Sequence, residues 1–116
     1  MSRNLNLYLG DILNSIEKIQ RYTASLTYDE FCEDDKTLDA VIHNLLIIGE
    51  ATKQISESLR LKYSQIEWKK MAGLRDIIAH TYFYINPKIV WNITQTQLSP
   101  LKTTVELILS DEDLET

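Results

Sequence analysis

The chain is 116 residues long, 44% hydrophobic and 25% charged, which describes one ordinary globular domain and excludes a disordered or fibrous segment. Twelve Lys and Arg stand against seventeen Asp and Glu, a formal charge of −5. That is the wrong sign for a broad electrostatic grip on nucleic acid, so any such contact has to come from a local patch. The single Cys32 excludes an internal disulfide and a multi-cysteine metal site, and three Gly with two Pro favour helices over the many tight turns of an all-β domain.

The first helix is expected over residues 5–26, where Leu5, Tyr8, Leu9, Ile12, Leu13, Ile16, Ile19 and Leu26 recur at spacings of three and four. It ends near Ser25–Thr27, and Thr27 or Asp29 caps a short turn through Phe31. From about Asp34 a longer, central helix follows, with Leu38, Val41, Ile42, Leu45, Leu46, Ile48, Ile55 and Leu59 at the same period and an arc from Ala40 to Ile48 wide enough to be buried on more than one side. A break at Tyr63-Ser64-Gln65 leads to a third helix from about Glu67, with Trp68, Met71, Leu74 and Ile78 on one side. Asn86-Pro87 reads as N-cap and first position of a final helix. Ile89, Val90, Ile93, Leu98, Leu101, Val105, Ile108 and Leu109 supply its buried face. Pro100 kinks it or starts a new helix with Ser99 as cap. The expected fold is all-α, a bundle of four to five helices forming a single domain over residues 1–110, with a frayed acidic tail over 111–116. No apolar run approaches the roughly 18 to 20 residues of a membrane span, and the amino terminus lacks the apolar stretch of a signal peptide, so a cytoplasmic protein with no membrane role is expected.

The densest reactive cluster is Gly73-Leu74-Arg75-Asp76-Ile77-Ile78-Ala79-His80-Thr81-Tyr82. At about 100° per residue, Arg75 and Tyr82 lie about 20° apart on a helix, Asp76 and His80 share a second face, and Arg75 and His80 diverge by about 140°. One straight helix cannot aim Arg75 and His80 at one substrate; either the helix unwinds near His80 or a second copy supplies the other residue. Asp76 four residues before His80 can accept a hydrogen bond from the imidazole, fixing its tautomer and favouring its protonated form. A proton-carrying imidazole beside a guanidinium that grips phosphate is the minimum set for metal-free cleavage of RNA, whose 2′-hydroxyl is its own nucleophile.

Plainer readings stand beside these. Arg75 with Asp76 also fits a solvated charge pair, and Tyr82-Phe83-Tyr84 also fits packing at a helix end. His43, with Asp39 four residues earlier, reads as a satisfied, partly buried histidine. Glu50 reads as a paired interior carboxylate or a site residue, with the structural role favoured. Lys69 and Lys70 form the local basic patch for RNA, or a wet face. No His, Cys and carboxylate set has metal-ligand spacing, and Gly49 and Gly73 stand alone rather than in a phosphate loop.

Arg75-(four residues)-His80-Thr81-Tyr82, with polar Asp76 after the arginine, resembles the RX4HXY signature of HepT toxins in the HEPN superfamily of small helical ribonucleases. Ile47-Ile48-Gly49-Glu50-Ala51, Trp68 to Gly73, and Asn86 through Val90-Trp91 resemble the same family in order and spacing, so the likeness covers about residues 5–109. It implies an antiparallel helical bundle in a twofold homodimer, with Arg75 and His80 of both copies meeting in an interface cleft. It further implies a toxin that cleaves RNA, with transfer or messenger RNA as the expected kinds, paired with an MntA-type nucleotidyltransferase antitoxin. That partner uses ATP to place AMP on Tyr82; the chain itself is expected to need no cofactor and no metal. The rival reading is a non-catalytic nucleotide- or substrate-binding partner of a nucleotidyltransferase, with Arg75 as a phosphate anchor and Tyr82 merely an acceptor.

Overall fold

A computed structural model describes residues 4–78 and 85–112. Among these residues the chain forms eight helices and no strand: α1 (Leu5–Thr23), α2 (Tyr28–Cys32), α3 (Asp35–Thr52), α4 (Glu57–Lys62), α5 (Trp68–Ala72), α6 (Leu74–Ile78), α7 (Pro87–Thr96) and α8 (Leu98–Asp111). The fold is an all-α bundle. Its axis is the pair α1 and α3, whose apolar stripes interlock: Leu9, Ile12, Ile16 and Ile19 against Val41, Leu45 and Ile48, all without exposed surface. Each such side chain stabilises the fold by about 1.5–3 kcal/mol relative to an exposed one. The start of α1 lies beside the end of α3, because Tyr8 and Asp11 share a groove with Glu50 and Gln54. α1 and α3 are therefore antiparallel. Lys102 reaches Glu17 at 4.0 Å and Gln20 donates to Ser99 at 3.5 Å, which sets α8 antiparallel to α1 as well.

Local chemistry fixes several helix starts. Thr27 and Glu30 form a reciprocal capping box on α2, so Thr27 is the cap and not Asp29. Asp34 accepts from the Thr37 backbone N–H at 3.0 Å, and this bond is the leading reason its carboxyl is held below the ordinary value. Asn86 accepts from the Lys88 N–H at 2.9 Å ahead of Pro87, as expected for α7. Trp91 then stacks obliquely on Phe31, with ring centroids 5.1 Å apart, tying α7 to α2.

Three boundaries differ from expectation. The central helix does not run on to Leu59; it stops at Thr52. There the Arg60 guanidinium folds back to donate to the Thr52 and Ile55 carbonyls at 2.9 and 3.1 Å, and the Ser56 hydroxyl caps the new helix α4. The third helix is two one-turn helices, α5 and α6, parted at Gly73, whose N–H donates to the Lys69 and Lys70 carbonyls. Pro100 does lie in a new helix, but Gln97 and not Ser99 is its cap, with no side-chain bond. The two splits raise the number of helices above the expected four to five.

One end of the bundle gathers α4, α5, α6 and the ends of α3 and α8. Trp68, buried, donates its indole N–H to the Tyr63 carbonyl at 2.8 Å. The Tyr63 hydroxyl reaches Glu112 at 2.9 Å and Asp111 at 3.3 Å, and Lys62 pairs with Glu112 at 2.7 Å. Asp111 and Glu112, the first residues of the acidic tail, are thus held against α4; residues 113–116 lie outside the described residues. At Gly49, α3 packs closely against this end. A β-carbon there would sit 3.5 Å from Leu74 Cβ and 3.5 Å from the Met71 carbonyl oxygen.

Two predictions come from this end of the bundle. Gly49→Ala is expected to be tolerated, since its methyl makes ordinary contacts and helix propensity improves by about 1 kcal/mol. Gly49→Val forces further methyl groups into the same contact and is expected to cost about 1–3 kcal/mol. Denaturant melts check both, and equal stability of the two variants would disprove the close approach. The second concerns alkali. Burial, then the hydrogen bond to Glu112, push the Tyr63 phenol from 10.0 up to about 12. Below pH 10 both folded and unfolded chains keep that proton, so the contribution is intact. As pH climbs from 10 towards 12 the unfolded chain alone releases it and stability is lost. Tyr63→Phe should therefore melt lower than the parent at neutral pH yet lose less in melting temperature across that alkaline window.

Candidate functional site

α6 is one turn long, and its register is fixed from below. Leu74 and Ile78 are buried against α3 and the neighbouring core, which turns Arg75 and Asp76 outward; both are exposed. An exposed guanidinium on a short helix pinned at both ends is a stiff anchor for a phosphate, and its planar fork suits two phosphate oxygens at once. His80 and Tyr82, with the Asp76–His80 contact expected from their spacing, lie outside the described residues, as does the 140° divergence of Arg75 and His80.

Lys69 and Lys70 are exposed on α5, and with Trp68, Gly73 and Ile77 they border a shallow surface depression. Lys70 is 4.0 Å from Glu67, a loose surface pair worth little. The two lysines and Arg75 therefore follow one another on the α5–α6 segment, which concentrates positive charge locally on a chain of net charge −5.

Glu50 departs from expectation. Its side chain is 62% exposed and not interior, although it is paired: Lys53 donates to it at 2.8 Å. That hydrogen bond, and beyond it the positive charge of Arg75, hold the Glu50 carboxyl below its ordinary value. Glu50 thus lies within electrostatic reach of Arg75. Gly49 sits against Leu74, so the residues that follow them, Glu50 and Arg75, are carried on adjoining segments. His43 also departs from expectation. It is exposed rather than partly buried, because the buried stripe of α3 runs through Val41, Asn44, Leu45 and Ile48 and leaves His43 one step outside it. His43, Leu46 and Glu50 of α3, with Gln54 just beyond its end, instead line a groove of about 380 Å³ with Tyr8 and Asp11 of α1. Residues 43, 47, 50 and 54 share helical spacing, a second stripe that runs beside the apolar one and past the end of α3.

Among the described residues no group of three or more His, Cys, Asp or Glu is placed to hold a metal ion. No helix among them is long and apolar enough to cross a membrane.

Comparison with known proteins places this arrangement. No solved structure matches the chain. A protein of Methanocaldococcus jannaschii named as a candidate RNase is 40% identical over 109 residues, covering 94% of this chain and 90% of the relative. A protein of Thermococcus cleftensis named as a probable ribonuclease HepT is 36% identical over 102 residues, covering 88% of this chain and 93% of the relative. A candidate RNase of Caldanaerobacter subterraneus is 33% identical over 105 residues, covering 90% of this chain and 94% of the relative. Residues 12–108 match the family described as Ribonuclease HepT-like, a span that begins in α1, closes in α8 and includes the whole segment from Trp68 to Tyr82. On that match and those relatives, the chain belongs to the HepT-like family of ribonucleases.

Proposed function

We propose that this chain is the ribonuclease toxin of a toxin–antitoxin pair, acting in the cytoplasm as a homodimer and cutting RNA without a metal. The observation that carries the reading is the exposed Arg75 on a one-turn helix pinned by Leu74 and Ile78, five residues before His80 in the RX4HXY pattern. In the proposed reaction His80 takes the proton of the RNA 2′-hydroxyl and the 2′-oxygen attacks the adjacent phosphorus. The bond from phosphorus to the 5′-oxygen breaks, and that oxygen takes a proton from an imidazolium, His80 of the second copy serving as the acid. The products are a 2′,3′-cyclic phosphate and a 5′-hydroxyl. Arg75 binds the phosphate and stabilises the charge that builds on its oxygens in the transition state. Asp76 orients His80, and Lys69 and Lys70 contact neighbouring phosphates.

His80→Ala and Arg75→Ala are each expected to lower cleavage by about 100-fold or more, with helix content unchanged and no sensitivity to EDTA. Mixing the two inactive variants should not restore full activity, since a mixed dimer carries a single His80 and the proposed reaction draws an imidazole from each copy. Inhibition by EDTA, an active His80→Ala, or a monomer with full activity in light scattering overturns the mechanism.

Regulation is proposed to run through Tyr82. An MntA-type nucleotidyltransferase would catalyse attack of the phenol oxygen on the α-phosphorus of ATP, with pyrophosphate leaving and the phenolic proton passing to a base of that enzyme. This chain uses ATP only as the substrate of its partner. The attached AMP brings a negative phosphodiester and a bulky adenosine next to Arg75 and competes with RNA. Incubation with an MntA-type nucleotidyltransferase and ATP should add AMP to Tyr82, seen by peptide mass spectrometry, and abolish cleavage without unfolding. Tyr82→Phe should resist neutralisation. AMP found on Tyr63 or Tyr84 instead, or a modified chain that still cuts RNA at its original rate, shifts the weight to a non-catalytic binding partner.

A further inference from the structure

The groove between α1 and α3 is not used by the reaction above, yet it opens beside Glu50, which lies within reach of the Arg75 charge. Its volume of about 380 Å³ falls inside the range of about 300–1,000 Å³ that small-molecule sites occupy. Its chemistry is divided. Leu46, Ile47 and Ala51 give an apolar floor and Tyr8 an aromatic ring, while Asp11 and Glu50 set carboxylates on its walls. Among the described residues its lining, which also takes in His43 and Gln54, holds no Lys or Arg; Lys53 bonds Glu50, and the cations Lys69, Lys70 and Arg75 are carried on α5 and α6. A phosphate is therefore repelled from the groove and drawn to α6, whereas an uncharged group rich in hydrogen-bond donors is favoured inside it. Single-stranded RNA presents this combination at every nucleotide: an anionic phosphate and, one sugar away, a flat base with a polar edge.

We infer that the α1–α3 groove is a nucleobase subsite that takes one unstacked guanine of the RNA strand whose phosphate rests on Arg75, with Glu50 accepting hydrogen bonds from the guanine N1–H and N2 amino group. This rests on the ribonuclease reading. Guanine is selected because it alone among the four bases places two adjacent donors on one edge, matching the two oxygens of a carboxylate. Uracil flanks its single N–H with carbonyl oxygens that a carboxylate repels, and adenine and cytosine set an acceptor nitrogen beside their amino group. The Lys53 bond to one Glu50 oxygen at 2.8 Å does not prevent this, since an ionised carboxylate offers about four lone-pair sites. It also keeps Glu50 ionised and therefore purely an acceptor.

The test has two independent arms on the full chain. In the first, a single guanosine is walked through an oligouridine background, and inosine, which lacks the N2 amino group, replaces it in a matched set. Cleavage is expected at a fixed offset from guanosine, with kcat/KM about tenfold lower for inosine, and Glu50→Gln is expected to bring the guanosine-to-inosine ratio towards one. In the second, guanosine 3′-monophosphate is titrated into the protein by NMR, against inosine and uridine 3′-monophosphates. The guanosine nucleotide should bind most tightly and shift the amides of Ala51 and Gln54. Cleavage with no dependence on guanosine overturns the subsite and leaves the ribonuclease reading standing. Absence of cleavage in every oligonucleotide overturns the ribonuclease reading, while the titration still decides the groove. If no nucleotide shifts the groove amides, or if they are covered by a second copy of the chain in solution, the groove is a subunit interface and the inference fails.

Discussion

The contact at Gly49 governs how the site is presented. α3 is the helix most enclosed by its neighbours, and at its far end, where Gly49 lacks a side chain, it packs closely against the Met71 carbonyl and the Leu74 side chain. α6 has one turn and too few internal hydrogen bonds to persist alone. It is a helix because Leu74 and Ile78 are seated in the core that α3 provides. A phosphate anchor built on such a segment inherits its rigidity from α3, which in turn is aligned by the long apolar seam with α1. The direction of Arg75 is thus set mainly by residues 25 or more positions earlier in the chain.

A second constraint is supplied by the tie between Trp68, Tyr63 and Glu112. The indole N–H and the phenol hydroxyl are both polar groups on large buried rings, and each has a partner, which is the condition under which such rings can be buried at low cost. Their bonds run in series from the start of α5 through the end of α4 to the end of α8. The lead into the site is therefore fastened to the carboxy-terminal helix, and acidic residues that would be expected to fray are ordered by Lys62 and Tyr63.

Much of this was legible in the sequence, and the omissions have physical causes. α1, the first two-thirds of α3, α7 and α8 announce themselves by apolar residues every three or four positions, and Thr27, Asp34 and Asn86 stand where caps belong. The break after Thr52 was hidden because Ile48, Thr52, Ile55 and Leu59 keep helical spacing across it. What ends the helix is the Arg60 side chain returning to the Thr52 carbonyl, a contact between residues eight apart that periodicity does not register. Trp68, Met71, Leu74 and Ile78 likewise remain in step across Gly73, although the helix does not. The sequence motif puts Arg75 forward as the cation of the proposed site from spacing alone. It could not say that Glu50 would come near, because that proximity depends on how closely two helices pack, and only the missing side chain of Gly49 hinted at it.

The arrangement resolves the apparent conflict between a net charge of −5 and an anionic substrate. Affinity for a polyanion depends on the local field at the phosphate rather than on the sum over the chain, since exposed charges more than about 10 Å apart are largely screened at ordinary ionic strength. Lys69, Lys70 and Arg75 sit within seven consecutive residues on α5 and α6, while many of the carboxylates lie on other helices or are engaged in caps, as Asp34 and Glu30 are. Beside Asp76, next in the chain, Glu50 is a further exception, a carboxylate close to the proposed phosphate anchor. Its hydrogen bond goes to Lys53 rather than to Arg75, so Arg75 is left exposed and its charge only partly offset. Such a site would rely on a few well-placed contacts with an RNA backbone rather than on the charge of the whole chain.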